Sequence, residues 1–182
     1  MIKKTALAMA VLATMATSVS AQAATDNYGT LRSGSFAPSG TFATLSYTNI
    51  GNVYYFTLTA NDLDDLFTTK AFIGSIAVDG PSQVTVSNVV GDAPVSKQNG
   101  GGPTGIYDFR FDLAQGQNRL TANESVSWTA TFSTPAQLAS TSVALHVQGL
   151  TNAQGGSAWY TVSAVAEPSS YALLGLGLGL IA

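Results

Sequence analysis

Residues 43–60 read ATLSYTNIGNVYYFTLTA, and the alternation of apolar and polar side chains in them is the clearest structural signal in the chain. Ala43 and Leu45 alternate with hydroxyl residues, and the pattern resumes at Tyr54 after the turn-forming residues 49–52. A period of two residues is that of a β-strand with one buried face. Two such runs joined by a short turn predict an antiparallel hairpin.

The same alternation recurs along the chain in runs bounded mostly by Gly, Pro or Asn. Further strands are expected at residues 71–78, 83–90, 106–113, 126–132, 143–147 and 158–165. The 3.6-residue period of an amphipathic helix is almost absent. About eight short strands predict an all-β fold, an antiparallel β-sandwich of the jelly-roll-like or Ig-like kind, with a barrel as the alternative.

The N-terminus has the composition of a secretory signal peptide. Two lysines precede an apolar stretch, and small residues end at Ala21 and again at Ala23, where signal peptidase would cleave. Residues 1–23 are therefore assigned to the signal peptide and residues 24–165 to one β-sandwich domain. Within that domain, the glycine-rich stretch 91–105 is expected to be a mobile connection.

Composition excludes several classes of function. The chain has no cysteine, which excludes disulfides, thiolate metal sites and cysteine nucleophiles. Without Lys3 and Lys4, five of the seven basic residues remain against ten acidic ones, and they are scattered singly. A nucleic-acid partner is not expected because no basic patch can displace counterions from phosphates. No cofactor is expected either.

The carboxylates do not form a clear calcium site or a catalytic pair. Asp62, Asp64 and Asp65 form a weak calcium candidate, but their spacing fits no calcium loop, and a solvated or helical turn is the favoured interpretation. Asp108 and Asp112 are about 13 Å apart along one strand face, which is too far for a retaining carboxylate pair and wide for an inverting one. They are expected on the solvent face, opposite Tyr107 and the phenylalanines that follow it.

A catalytic set is not found, and we expect no enzymatic activity. His146 is the only histidine, and no serine lies in a nucleophile elbow. His146 is expected to be a hydrogen-bonded or partly exposed residue of the sheet. Catalytic residues are therefore predicted to be none.

Aromatic residues give the remaining candidates for ligand binding. Neighbouring rings at 54–55 and 159–160 must point to opposite faces of a sheet, so one of each pair lies outside the core or at its edge. We take Tyr55 and Trp159 as the candidates for stacking on a sugar ring. The alternative is that these rings pack under loops or extend the core.

The C-terminal residues combine a short polar element with an apolar run. Glu167, Pro168, Ser169 and Ser170 precede Tyr171 and an apolar, glycine-interrupted run. This arrangement, residues 166–182, resembles the PEP-CTERM sorting segment that exosortases process on exported proteins of Gram-negative bacteria. The family pattern usually begins with Pro-Glu-Pro, where this chain has Ala166, and ends in an arginine cluster, which this chain lacks; its absence indicates an incomplete C-terminus.

The resemblance implies export, transient insertion of the tail in the inner membrane and a place in the cell envelope, at the cell surface or in the extracellular matrix. The implied partners are the Sec machinery, signal peptidase, an exosortase-type enzyme and exopolysaccharide. The favoured function is a non-catalytic structural or adhesive role in envelope or biofilm. The alternatives are a carbohydrate-binding module at the cell surface and, less favoured, a hydrolase of polysaccharide.

The sorting signal can be tested directly. In a host with an active exosortase, we expect the double substitution Glu167→Ala and Pro168→Ala to abolish processing of the tail, because the enzyme would no longer meet its exposed recognition element. Intact mass and the fraction of protein at the cell surface are the measurements. Unchanged mass and unchanged surface fraction would contradict the assignment of the tail.

Overall fold

A computed structural model describes residues 21–61, 63–68 and 70–163, and in these residues it shows ten strands in a single antiparallel sheet. The strands are β1 (Ala21–Ser33), β2 (Ala43–Ile50), β3 (Val53–Ala60), β4 (Phe72–Val78), β5 (Val84–Gly91), β6 (Ser96–Asn99), β7 (Phe109–Asp112), β8 (Ser125–Phe132), β9 (Val143–Gln148) and β10 (Ser157–Val162). Their order across the sheet is β5-β8-β3-β2-β1-β10-β9-β4-β7-β6. Helical structure there is limited to α1 (Leu63–Leu66) and three short 3-10 turns, at Pro103–Gly105, Ser140–Ser142 and Asn152–Gln154.

The predicted hairpin of residues 43–60 is confirmed. Strands β2 and β3 pair from Ala43 opposite Ala60 to Ile50 opposite Val53. The two-residue turn between them places Gly51 at a φ of 62°, a left-handed conformation that glycine adopts without steric cost. The hairpin therefore forms as the alternation of its side chains predicts.

Strand β1 joins the two halves of the sheet by changing its partner. Its first part pairs with β2 as far as Tyr28, which lies opposite Ala43. From Tyr28 onward it pairs with β10, and irregularities in register place extra residues at Gly29 and Arg32. Bulges bend a strand and increase its twist. The sheet therefore turns a corner within one continuous strand.

The corner brings the inner faces of the two halves together around one core. One half consists of β1, β2, β3, β8 and β5, and the other of β10, β9, β4, β7 and β6. The ring of Phe111 on β7 lies 5.9 Å from that of Phe56 on β3 and 5.4 Å from that of Trp128 on β8. Aromatic contacts at these centroid distances hold the halves face to face.

The all-β antiparallel fold is confirmed, and its strands form one continuous sheet, where a sandwich would have two. The two packed layers belong to one hydrogen-bonded sheet because β1 is continuous through the corner. The predicted count of eight strands is wrong. The missed strands are β1, whose first residues read as signal peptide, and β6, a short edge strand of polar residues without alternation.

Strand β6 corrects the expectation for the 91–105 connection, part of which is ordered as sheet. The run 106–113 is corrected as well, since its strand begins only at Phe109. Tyr107 is buried on the outer side of the sheet against Ala77 and Ala144, away from the main core. Tyr107 precedes the first residue of β7, so the alternation that places Phe109 and Phe111 inside does not apply to it.

Buried tyrosines tie the loops to the core. The hydroxyl of Tyr47 donates to the carbonyl of Leu138 at 2.6 Å, and that of Tyr54 donates to the carbonyl of Ala136 at 2.7 Å. Each ring fills core volume while its hydroxyl satisfies a loop carbonyl, which avoids an unpaired buried polar group.

The expected signal peptide falls largely outside the described residues, as do the sorting residues. Strand β1 begins at Ala21, so the last three residues assigned to that peptide pair with β2. No helix within the described part of the chain is long and apolar enough to cross a membrane.

The corner at Gly29 can be tested by adding a single methyl group. A Cβ there would lie 2.6 Å from the carbonyl oxygen of Gly40, so we expect Gly29→Ala to destabilise the protein by about 1–3 kcal/mol. The control is Gly116→Ala, because a Cβ at that position meets nothing within 4 Å and should change stability by less than about 0.5 kcal/mol. Urea unfolding followed by tryptophan fluorescence measures both, and equal midpoints would contradict the role of Gly29.

Candidate functional site

The outer surface of β1, β2, β3 and β8 presents rows of hydroxyl side chains. One row across the four strands is Thr25, Ser46, Thr57 and Ser127. The rows on either side are Asn27, Thr44, Thr59 and Ser125, and, on β2, β3 and β8, Thr48, Tyr55 and Thr129. We call these three rows the hydroxyl face. Neighbouring strands lie about 4.8 Å apart and alternate residues about 6.8 Å apart, so the hydroxyl face is a regular grid.

Hydroxyl pairs on this grid bond to each other without exhausting their capacity. The Oγ1 of Thr25 is 3.1 Å from the Oγ of Ser46, and that of Thr57 is 2.9 Å from the Oγ of Ser127. A hydroxyl has one donor and two acceptor sites, so each bonded pair retains one proton to donate and free lone pairs. The surface can therefore both donate to and accept from a ligand.

Tyr55 is the one aromatic ring on the hydroxyl face, and its side chain is 49 % exposed. It borders a shallow depression of about 420 Å³ that is also lined by Thr25, Ser46, Thr48 and Thr57. An exposed ring beside several hydroxyls is an arrangement that suits a sugar, whose apolar ring face and polar rim need both kinds of contact.

Charge is distributed unevenly between the two outer surfaces. The hydroxyl face contains no Asp, Glu, Lys or Arg in any of its three rows. Arg110 and Asp112 on β7 and Lys97 on β6, by contrast, belong to the other half of the sheet. The hydroxyl face is therefore suited to an uncharged partner.

A second depression, of about 320 Å³, lies on the outer surface of the other half. It is lined by Ser75, Arg110, Asp112, Gln115, His146, Gln148 and Trp159, and we call it the polar groove. Four of these residues form a straight row across four strands, in the order Trp159, His146, Ser75 and Asp112.

Side chains from two loops bound the polar groove. On one side, Tyr107 packs over Ala77 and Ala144. On the other, the guanidinium of Arg119 lies 4.5 Å from the centre of the Phe72 ring, and Gln115 donates to the carbonyl of Gly74 at 3.0 Å. Both loops cover the outer side of β4, which explains why every residue of that strand is buried.

His146 stacks on Trp159 within the groove. The two ring centres are 4.4 Å apart and the planes are 6° from parallel. Burial lowers the pKa of His146 from its ordinary 6.5 to about 4; Arg110 lowers it further, and Asp112 opposes the shift. The imidazole is therefore neutral at pH 7, and its stack orients the indole ring while covering one part of it.

The charged residues of the groove are paired. The guanidinium of Arg110 donates two hydrogen bonds to Asp112, one of them from Nη2 to Oδ2 at 3.1 Å. The hydrogen bond to Asp112 raises the pKa of Arg110. Close by, the Oε1 atom of Gln148 is buried without a hydrogen-bond partner in the described structure. An acceptor of this kind costs stability unless a donor reaches it.

Serine, histidine and aspartate meet in this groove, but not in the order of a catalytic triad. Ser75 lies between His146 and Asp112, whereas a triad needs the histidine between the nucleophile and the carboxylate. Asp112 is bound by Arg110 and does not orient the imidazole. The geometry thus gives no support for a serine hydrolase.

The structure separates the two predicted stacking residues. Tyr55 lies on the hydroxyl face, and Trp159 lies in the polar groove on the other half of the sheet. Asp64 and Asp65 are exposed on α1, while Asp62 is outside the described residues. Among the residues described, no group of three His, Asp or Glu is placed to hold a metal ion.

Sequence reasoning missed the hydroxyl rows and the groove residues Ser75, Gln115 and Gln148. The polar half of the alternation in residues 43–60 already indicated a hydroxyl surface. The groove had no such signal, because it depends on which strands become neighbours.

Comparisons with known proteins give no family. No family model matches the sequence, and no curated protein matches it either. Among solved structures, the chain is similar to one described as "pH-induced modulation of Streptococcus parasanguinis adhesion by Fap1 fimbriae", with 10 % identity and a TM-score of 0.41 over 81 % of this chain and 98 % of that one. A TM-score of 0.41 is too low to indicate a function.

The pKa of His146 leads to a prediction about pH. Because the folded pKa of about 4 lies below the unfolded value of 6.5, the unfolded state binds more protons between these two values. Stability should therefore fall as the pH drops from 6.5 to 4, and the group should add no further slope above 6.5.

The ring-proton NMR titration of the only histidine measures this pKa, and urea unfolding across the same window measures its effect on stability. His146→Gln is the control and should flatten the slope. A measured pKa near 6.5 would contradict the described burial of the ring.

Proposed function

We propose that the protein is an exported, non-catalytic surface or matrix protein that adheres to uncharged polysaccharide through the hydroxyl face. The single observation that carries this proposal is the regular, charge-free grid of hydroxyls around the half-exposed ring of Tyr55. This combines the adhesive role with that of a carbohydrate-binding module.

The chemistry of the hydroxyl face matches that of a sugar chain. A pyranose presents apolar C–H groups on its ring faces and hydroxyls on its rim, and each hydroxyl both donates and accepts. Tyr55 supplies an apolar platform, and the neighbouring Thr57 and Thr48 supply groups that donate and accept in the same way. Affinity would come from several weak contacts along a polymer.

The absence of charge favours a neutral polymer over an anionic one. The whole chain carries a formal net charge of −3, so a polyanion would be repelled at long range. No arginine or lysine on the hydroxyl face compensates that repulsion. A neutral exopolysaccharide avoids this electrostatic cost.

The two termini support a location at the cell envelope of a Gram-negative bacterium. A signal peptide would direct the chain to the Sec machinery and signal peptidase, and the segment 166–182 would direct it to an exosortase after transient insertion in the inner membrane. Both segments are read from sequence, and neither depends on the hydroxyl face. Export would bring the domain to the compartment where exopolysaccharide is found.

A charge placed on the hydroxyl face should weaken binding. We expect Thr57→Lys to weaken retention of the mature protein in an affinity gel containing neutral polysaccharide, because a desolvated ammonium would replace a hydroxyl at the centre of the grid. Tyr55→Ala should weaken retention about tenfold, which corresponds to ~1.4 kcal/mol. Ile106→Ala, a change at a residue 47 % exposed on the other half, is the control and should leave retention unchanged.

The same gel distinguishes binding from cleavage. We expect no release of reducing ends during the incubation. Retention that survives both Thr57→Lys and Tyr55→Ala would contradict the role of the hydroxyl face. Reducing ends that appear with the natural protein and vanish with His146→Ala would contradict the non-catalytic assignment.

A further inference from the structure

The polar groove has the features of a binding site, separate from the hydroxyl face. Its floor is the cross-strand row that runs from Trp159 through His146 to Ser75, and two loops bound it. We propose that the polar groove binds a single neutral sugar residue and that the protein thereby bridges two glycan chains, one on each outer surface. The bridging, but not the groove's own binding, rests on the proposed function of the hydroxyl face.

The net charge of the groove defines the class of ligand. Arg110 and Asp112 neutralise each other through two hydrogen bonds, and His146 is uncharged at pH 7. Arg119, at the edge of the groove, lies over the Phe72 ring and donates to the carbonyl of Gln115. Among the residues that line the groove, a charged ligand would find no unpaired counter-charge, and its desolvation would go uncompensated. The ligand that fits is polar and uncharged.

The hydrogen-bonding groups point more narrowly to adjacent hydroxyls. Asp112 accepts and Arg110 donates, side by side and fixed by their mutual hydrogen bonds, so together they suit neighbouring hydroxyls of a sugar ring. Gln148 lines the groove beside this pair, and its Oε1 has no hydrogen-bond partner in the described structure, so its amide is the third polar group available to the same ring.

Size and packing limit the ligand to a small one. The volume of about 320 Å³ is at the lower end of the range for small-molecule pockets, which suits one sugar ring. Trp159 lines the groove and is held in place by its stack on His146, so little side-chain freedom is lost when a ligand arrives.

The fold keeps the two sites apart. The hydroxyl face and the polar groove are on the outer surfaces of the two halves, and the shared core lies between them. A single sugar residue therefore cannot contact both surfaces at the same time. Two chains can be held at once, which is the geometry of a cross-link.

The two tryptophans of the chain give a specific test. Trp128 is 2 % exposed in the core, whereas Trp159 lines the groove. The full mature protein, labelled with ¹⁵N, is titrated with the methyl glycosides of glucose, galactose, mannose and N-acetylglucosamine. We expect the indole N–H signal of Trp159 to shift saturably with at least one of them, while that of Trp128 stays in place.

A matched pair of glutamine variants assigns the shift to the groove. Gln148→Leu should reduce the shift at least tenfold at the same sugar concentration, and Gln137→Leu, at an exposed loop position, should leave it unchanged. No shift of Trp159 with any of the four glycosides would overturn the proposal. An unchanged shift in Gln148→Leu would overturn it as well.

Tyr55→Ala separates this proposal from the function of the hydroxyl face. We expect it to lose retention on neutral polysaccharide but to keep the Trp159 shift. Retention by the natural protein with no Trp159 shift would defeat the groove and leave the adhesive function standing. A Trp159 shift without retention on the polysaccharide would contradict binding by the hydroxyl face, and therefore bridging, but not binding by the groove. Bridging itself is tested by light scattering with a neutral polysaccharide built from the sugar that shifts Trp159. Scattering should rise with the natural protein but not with Tyr55→Ala or Gln148→Leu.

Discussion

The change of partner along β1 is the constraint on which the rest of the structure depends. Up to Tyr28 the strand is bonded to β2, and beyond Gly29 it is bonded to β10. This single corner turns one sheet into two facing layers, and it lets Phe111 of one layer reach Phe56 of the other. Glycine is required at the corner because the carbonyl of Gly40 occupies the space of a side chain. The core and both outer surfaces follow from this bend.

The two outer surfaces have different chemistry although they belong to the same sheet. On the first half, strands alternate large apolar residues inside with Thr and Ser outside, so the exterior is a grid of hydroxyls without charge. On the second half, loops return over β4, bury its outer side and leave the polar groove between them. A regular surface suits a repeating polymer, and a small groove suits a single sugar residue. This contrast is the physical basis for the two modes of binding that we propose.

The sequence predicted whatever depends on neighbours along the chain. The hairpin of β2 and β3 could be read from alternation and a turn, and so could the outward position of Tyr55. It did not predict β1, whose extra residues at Gly29 and Arg32 break the alternation, nor β6, which buries little apolar surface. The row from Trp159 to Asp112 could not be predicted, because it joins residues of four strands that are distant in sequence. Side-chain periodicity determines which residues of a strand point to the core and which to the outside, whereas the order of the strands depends on the whole fold.

We propose that the hydroxyl face is the surface that meets an uncharged polysaccharide. Mapping the backbone amide shifts of the ¹⁵N-labelled mature protein during titration with oligosaccharides of a neutral polymer tests it most directly. We expect the shifts that saturate with the longest oligosaccharides to cluster at Thr25, Ser46, Tyr55, Thr57 and Ser127, and a polyuronate of equal length to produce none there. Shifts absent from these strands, or larger with the polyuronate, would contradict it.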